Sequence, residues 1–383
     1  MRKDLHGLTL STDSGTAVDA FDRATLAYLK YRTDAARHLG AALKADPQFA
    51  LGHVLRGYFN MLAYNKANVQ GAAEALAEAR KHAKRTTTRE AAHIEALARW
   101  VDGDLDRMLE VWRGIFAEHP HDVLAFRLHH FNAFWLGRPA TMQAEVERID
   151  WLKRLEPNWE GANNLKHHLF WHRSMFHIER REFGEVLSLY DHGFRDLGSP
   201  LTQAMPDMYI DVQNAASMLF RLERQGVDVG DRWIELADKA EARIGDCLSA
   251  FTLPHWMMAL AATGRGEAGQ RMIEGMRAFA RGNGTVERLV GRVALPLCEA
   301  VLAHRQGRHA EVLKLMRPVL GDMFLLGGSH AQQDVLEQLF LDSALKVDSA
   351  GDVQLMLERV SGRHPVPLSR RIGYAAAAAR YAH

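Results

Sequence analysis

The chain is poor in cysteine. Cys247 and Cys298 are its only two, too few for a disulfide framework and in no C-x-x-C pair that would clip a metal. It also lacks an excess of charge: 48 Lys and Arg against 47 Asp and Glu leave a net +1, so no global field draws it to nucleic acid or to an anionic membrane. No apolar run nears the roughly 18 residues that would span a bilayer. The N-terminus, Met1-Arg2-Lys3-Asp4-Leu5-His6-Gly7, has no apolar stretch of a secretory signal. Together these absences predict a cytoplasmic protein with no nucleic-acid and no membrane partner. What remains is the composition of a packed globular chain, 47% hydrophobic and 25% charged, with one oddity, 20 histidines.

Apolar residues recur at helical spacing almost throughout. Ala17, Phe21, Ala24, Tyr28 and Tyr31 form one stripe, and Leu105, Met108, Val111, Trp112 and Ile115 another. No sustained period-two alternation interrupts them, so the expected class is all-α. The chain-breakers then give a period. Gly103-Asp104 and Gly137-Arg138, 34 residues apart, each divide two helical patterns, while Asp46-Pro47, His119-Pro120 and Glu156-Pro157 close second helices. Gly264-Arg265 and Gly307-Arg308 repeat the inner turn. A helix–turn–helix unit of about 34 residues is the tetratricopeptide spacing. The reading is a single tetratricopeptide-like α-solenoid over residues 1–383, a right-handed superhelix of about eight helical pairs. First helices are expected near 51–65, 88–102, 122–136, 161–180, 207–223, 248–263, 294–306 and 329–345, lining the concave face.

The histidines gather on those first helices: His53, His93, His129, His130, His167, His168, His172, His177, His255, His304 and His330. Histidine on an inner face points to acid–base chemistry near neutral pH, against the plainer reading of core histidines bonded to backbone. His168 and His172 stand at i and i+4, one turn after Asn164, on one helix face. They suit two metal ligands, but no local carboxylate supplies a third, so neither metal nor other cofactor is expected. Ser329 is expected to cap the helix that begins at His330, with Gln332 completing a capping box. His330 and Asp334, again i and i+4, make a candidate acid–base dyad. His168, His172, His330 and Asp334 are therefore the candidate catalytic set. Arg127, His130, Asn164, Trp171, His177, Asp211, His255 and Trp256 are candidate substrate contacts. Arg127 is the cation for an anionic ligand, Asp211 an acid or a clamp for a histidine, and Trp171 and Trp256 the pocket walls.

Several segments then resemble the tetratricopeptide repeat protein 38 family. They are Trp171-His172-Arg173-Ser174-Met175-Phe176-His177, Ala216 to Leu222, Phe251 to His255, and Gly327-Gly328-Ser329-His330-Ala331-Gln332. Ser14 to Asp22 and Ala45 to Ala50 extend the resemblance over nearly the whole chain. It implies a helical-repeat protein in which His168, Trp171, His172, His177, His255 and His330 occupy the family's motif positions. The stretch Arg127 to Asn132 departs from the pattern. The expected partner is a small polar or anionic metabolite, handled by a metal-free acid–base enzyme of hydrolase or lyase type. The alternative is a scaffold that binds a peptide segment of another protein. Assembly as a homodimer is compatible with either.

Overall fold

A computed structural model describes residues 1–136, 163–361 and 366–381. It is all-helical apart from one antiparallel ribbon, in which β1 (Arg2–Lys3) pairs with β2 (Thr9–Leu10). Residues 1–135, 163–165 and 283–286 form one compact unit, and the remaining described residues form a second. Among the described residues no helix is long and apolar enough to cross a membrane.

The first unit contains α1 (Gly15–Leu29), α2 (Ala35–Ala45), α3 (Ala50–Met61), α4 (Val69–Lys81), α5 (Thr88–Val101), α6 (Leu105–Glu118) and α7 (Val123–Trp135). Successive helices pack on one another, and α3 also packs on α5, two elements on. The first member of a pair is buried almost all round: α3 hides Leu51, His53, Val54, Leu55 and Tyr58. The second buries one face, as α4 does with Ala72, Ala75, Leu76 and Ala79 at i, i+3, i+4 and i+7. The difference follows from contact, since α3 packs on α2, α4 and α5, whereas α4 packs chiefly on α3 and less on α5.

The second unit contains α8 (Leu165–Glu179, from Lys166 onward), α9 (Phe183–Leu189), α10 (Tyr209–Arg224), α11 (Arg232–Ala242), α12 (Thr252–Ala262) and α13 (Gly266–Phe279). It continues with α14 (Leu295–Arg305), α15 (His309–Met316), α16 (His330–Lys346), α17 (Ala350–Ser361) and α18 (Ala375–Tyr381). Here α10 packs against both α12 and α16. Ser329 and Gln332 close the expected capping box at the start of α16. The helices near 51, 88, 122, 207, 248, 294 and 329 all form, with boundaries moved by a few residues. Gly137-Arg138 and Glu156-Pro157 lie outside the described residues.

One turn joins the pairs. At Gly103, Gly226, Gly264 and Gly307 the backbone enters the left-handed region, with φ between 71° and 78°. The following amide donates five residues back, as Asp104 N does to Arg99 O at 2.9 Å and Arg308 N to Ala303 O at 2.9 Å. This is the Schellman closure of a helix C-terminus. Tyr31, Arg181 and Asp348 make the same turn with φ of 54°, 59° and 56°, and Arg32, Glu182 and Ser349 donate the matching long bond. A side chain in this region costs about 1 kcal/mol that glycine does not pay. No atom would meet a Cβ at Gly264 within 4 Å, so that position tests backbone strain alone. We expect Gly264→Ala to lower unfolding free energy by about 1 kcal/mol and Arg181→Gly to raise it by a similar amount. Urea midpoints of the two variants against the parent check both signs.

Candidate functional site

The expected site residues divide between the two units. Arg127, His130 and Asn164 belong to the first, and the others to the second. In the first unit the Arg127 guanidinium stacks over Tyr31 and Phe131, at 4.9 and 5.5 Å from their ring centres, and donates to the Tyr31 hydroxyl. The cation expected for an anionic ligand is thus clasped by aromatic rings. His130 stacks on Phe126, and its basicity is lowered by burial and by the Arg127 charge. Asn164 is buried just ahead of α8.

In the second unit α10 explains why polar side chains collect. Nearly all of it is buried, yet Asp211, Gln213, Asn214, Ser217 and Arg221 fall on one broad face. Polar groups so placed need partners from neighbouring helices. α8 supplies the first two. His167 Nδ1 meets Asp211 Oδ2 at 2.9 Å, and His168 Nδ1 meets Asn214 Nδ2 at 3.2 Å. The amide N–H of Asn214 donates to His168 Nδ1, which leaves the ring proton of His168 on Nε2. That proton bridges to His172 Nε2, 2.9 Å away. Trp171 lies parallel to His168, with centroids 5.5 Å apart, and edge-on to His172 at 5.0 Å. Burial, then the charge His172 would carry, pulls His168 well below the ordinary histidine value. His168 is therefore neutral at pH 7, although it is only half-buried.

The i, i+4 pair of the sequence thus forms, and Asp211 does clamp a histidine, His167, which sequence spacing gave no reason to choose. The dyad expected at His330 and Asp334 is replaced. His330 is exposed at the first residue of α16. Asp334 is buried and accepts from Arg221 at 3.3 Å, Arg371 at 3.1 Å, Gln338 at 2.6 Å and the Tyr374 hydroxyl. Burial alone would raise this carboxyl. The charges of Arg221 and Arg371, with the hydrogen bonds from Tyr374 and Gln338, outweigh burial and hold it below the usual range. Its neighbours are groups that can neutralise a buried charge, which a solvated imidazole does poorly.

Other histidines engage backbone or side-chain partners of their own. His255 Nδ1 bonds Phe251 O at 2.8 Å, and His177 Nδ1 bonds the Glu182 carboxylate at the left-handed turn after α8. In the first unit His93 engages both nitrogens, Nε2 with Asp122 at 3.0 Å and Nδ1 with the Tyr58 hydroxyl at 3.1 Å. Trp256 is buried on α12. Among the described residues no three His, Cys, Asp or Glu side chains stand together as metal ligands. A surface groove of about 410 Å³ in this unit is walled by Glu223, Asp228, Asp231, Trp233, Thr263 and Arg305, and includes none of the expected site residues.

Burial pulls the His255 ring from 6.5 to about 4. The folded protein keeps it neutral while the unfolded chain protonates it below pH 6.5, so its contribution is complete above 6.5 and is lost as pH falls toward 4. The full window corresponds to about 3 kcal/mol. We expect urea stability to fall between pH 7 and pH 5, and to fall less steeply in His255→Asn, whose amide can still bond the Phe251 carbonyl. Parallel profiles would assign the loss to other groups.

No family model matches the chain, and no solved structure matches it.

Proposed function

We propose that this protein is a tetratricopeptide-like helical-repeat solenoid, of the kind its motifs resemble in the tetratricopeptide repeat protein 38 family. It binds a small polar metabolite in the cytoplasm and acts on it by metal-free acid–base chemistry of hydrolase or lyase type. The observation that carries this reading is the His168–His172 pair, joined Nε2 to Nε2 at 2.9 Å beside two buried polar atoms that lack partners. Those atoms are Trp171 Nε1, a donor, and Asn214 Oδ1, an acceptor. Buried polar atoms are nearly always hydrogen-bonded in native proteins, and sites that leave them open await water or a ligand. A proton taken up by either imidazole can be shared across the 2.9 Å contact, so the pair can accept one proton and return it.

The test is direct. Small molecules released by denaturing the purified protein are identified by mass spectrometry, for the parent and for His168→Ala and His172→Ala. We expect a molecule retained by the parent to be absent from both variants, with melting temperatures within a few degrees of the parent. Retention of the same molecule by the variants, or their unfolding, would make these packing histidines.

A further inference from the structure

We propose that His167, held by Asp211, is the proton-accepting residue of this site, and that the ligand it serves is uncharged. The inference rests on the small-molecule reading above and deepens it. Three buried histidines show the difference between packing and readiness. His93 has both nitrogens engaged, by Asp122 and Tyr58. His177 bonds Glu182 through Nδ1, and its Nε2 is buried without a partner. His167 bonds Asp211 through Nδ1 at 2.9 Å, and its Nε2 takes no hydrogen bond from any described residue. A carboxylate on Nδ1 fixes the tautomer that leaves a lone pair on Nε2, and it stabilises the imidazolium once a proton arrives there.

Asp211 is itself supported. Arg195, buried and ion-paired to Glu235 at 2.7 Å, lies close enough to feel the Asp211 charge. His167 itself keeps 2% of its surface accessible, whereas His93 keeps none. The step is a proton transfer: an O–H bond of the ligand, or of a water attacking it, breaks, and an N–H bond forms at His167 Nε2. Asp211 leaves the Nδ1 proton on the ring throughout. The ligand is uncharged because two open atoms on residues packed against His168, Trp171 Nε1 and Asn214 Oδ1, are one neutral donor and one neutral acceptor. The buried cations of this unit, Arg195 and Arg221, are already ion-paired, to Glu235 and Asp334. An amide or a polyhydroxylated compound offers the matching acceptor and donor.

Diethyl pyrocarbonate, which acylates unprotonated imidazole nitrogen, probes the full-length protein without knowledge of the ligand. Peptide mapping after brief exposure at pH 7 should show His167 modified at least tenfold faster than His93. Asp211→Asn keeps an oxygen for the Nδ1 bond but removes the charge, and should slow labelling of His167 about tenfold while the fold persists. Nitrogen NMR of histidine-labelled protein should show His167 as the Nδ1–H tautomer and His168 as the Nε2–H tautomer. Labelling of His167 no faster than His93, or an Nε2–H tautomer, overturns the assignment. The small-molecule site itself stands or falls separately, on the molecule released from the parent and its loss in His168→Ala. Recovery of an anionic molecule there would overturn the uncharged-ligand half.

Discussion

The second unit is organised by one demand: a helix that is buried on every side carries a polar face. Leaving a hydroxyl, amide or charge without a partner in such a place costs several kcal/mol, more than a marginally stable domain can tolerate repeatedly. Asp211, Asn214, Ser217 and Arg221 on α10 therefore dictate what can pack there. α8 answers with His167 and His168, α12 with the Thr252 hydroxyl to Gln213, and α16 with Asp334 and the carbonyl of Ala331 to Arg221. The C-terminal segment answers last, through Arg371 and Tyr374 on Asp334. Apolar contacts alone would let these helices slide by a turn at modest cost. Directional bonds to a polar stripe do not.

Helices and their order were legible because periodicity and glycine are local signals. Gly103, Gly264 and Gly307 marked real turns, and Ser329 with Gln332 marked a real cap. Tyr31, Arg181 and Asp348 adopt the same left-handed turn, yet nothing in their chemistry advertises it; the bonds of Arg32, Glu182 and Ser349 hold them there. The N-terminal ribbon escaped notice because two residues per strand are too few to show alternation.

The site was legible only where partners share a helix. His168 and His172 met because i and i+4 are neighbours on any α-helix. The same rule misled at His330 and Asp334, where spacing allowed a contact that the tertiary environment redirected. Arg221 lies 113 residues from Asp334 in sequence and Tyr374 lies 40, so neither pairing could be read from local pattern. His167 and Asp211, separated by 44, belong to the same class. Long-range polar matching is decided by which faces meet, and one sequence alone does not state that.

The stacking of Trp171 on His168 makes the pair observable with light. An indole parallel to an imidazole at 5.5 Å is quenched when that imidazole becomes cationic, because the excited ring passes an electron to its positively charged neighbour. Trp171 is fully buried, so its emission lies to the blue of that from indoles that touch water. Protonation of His168 would thereby dim one interior fluorophore. Seven other tryptophans share the chain, so the light from this one is read as the difference between the parent and Trp171→Phe.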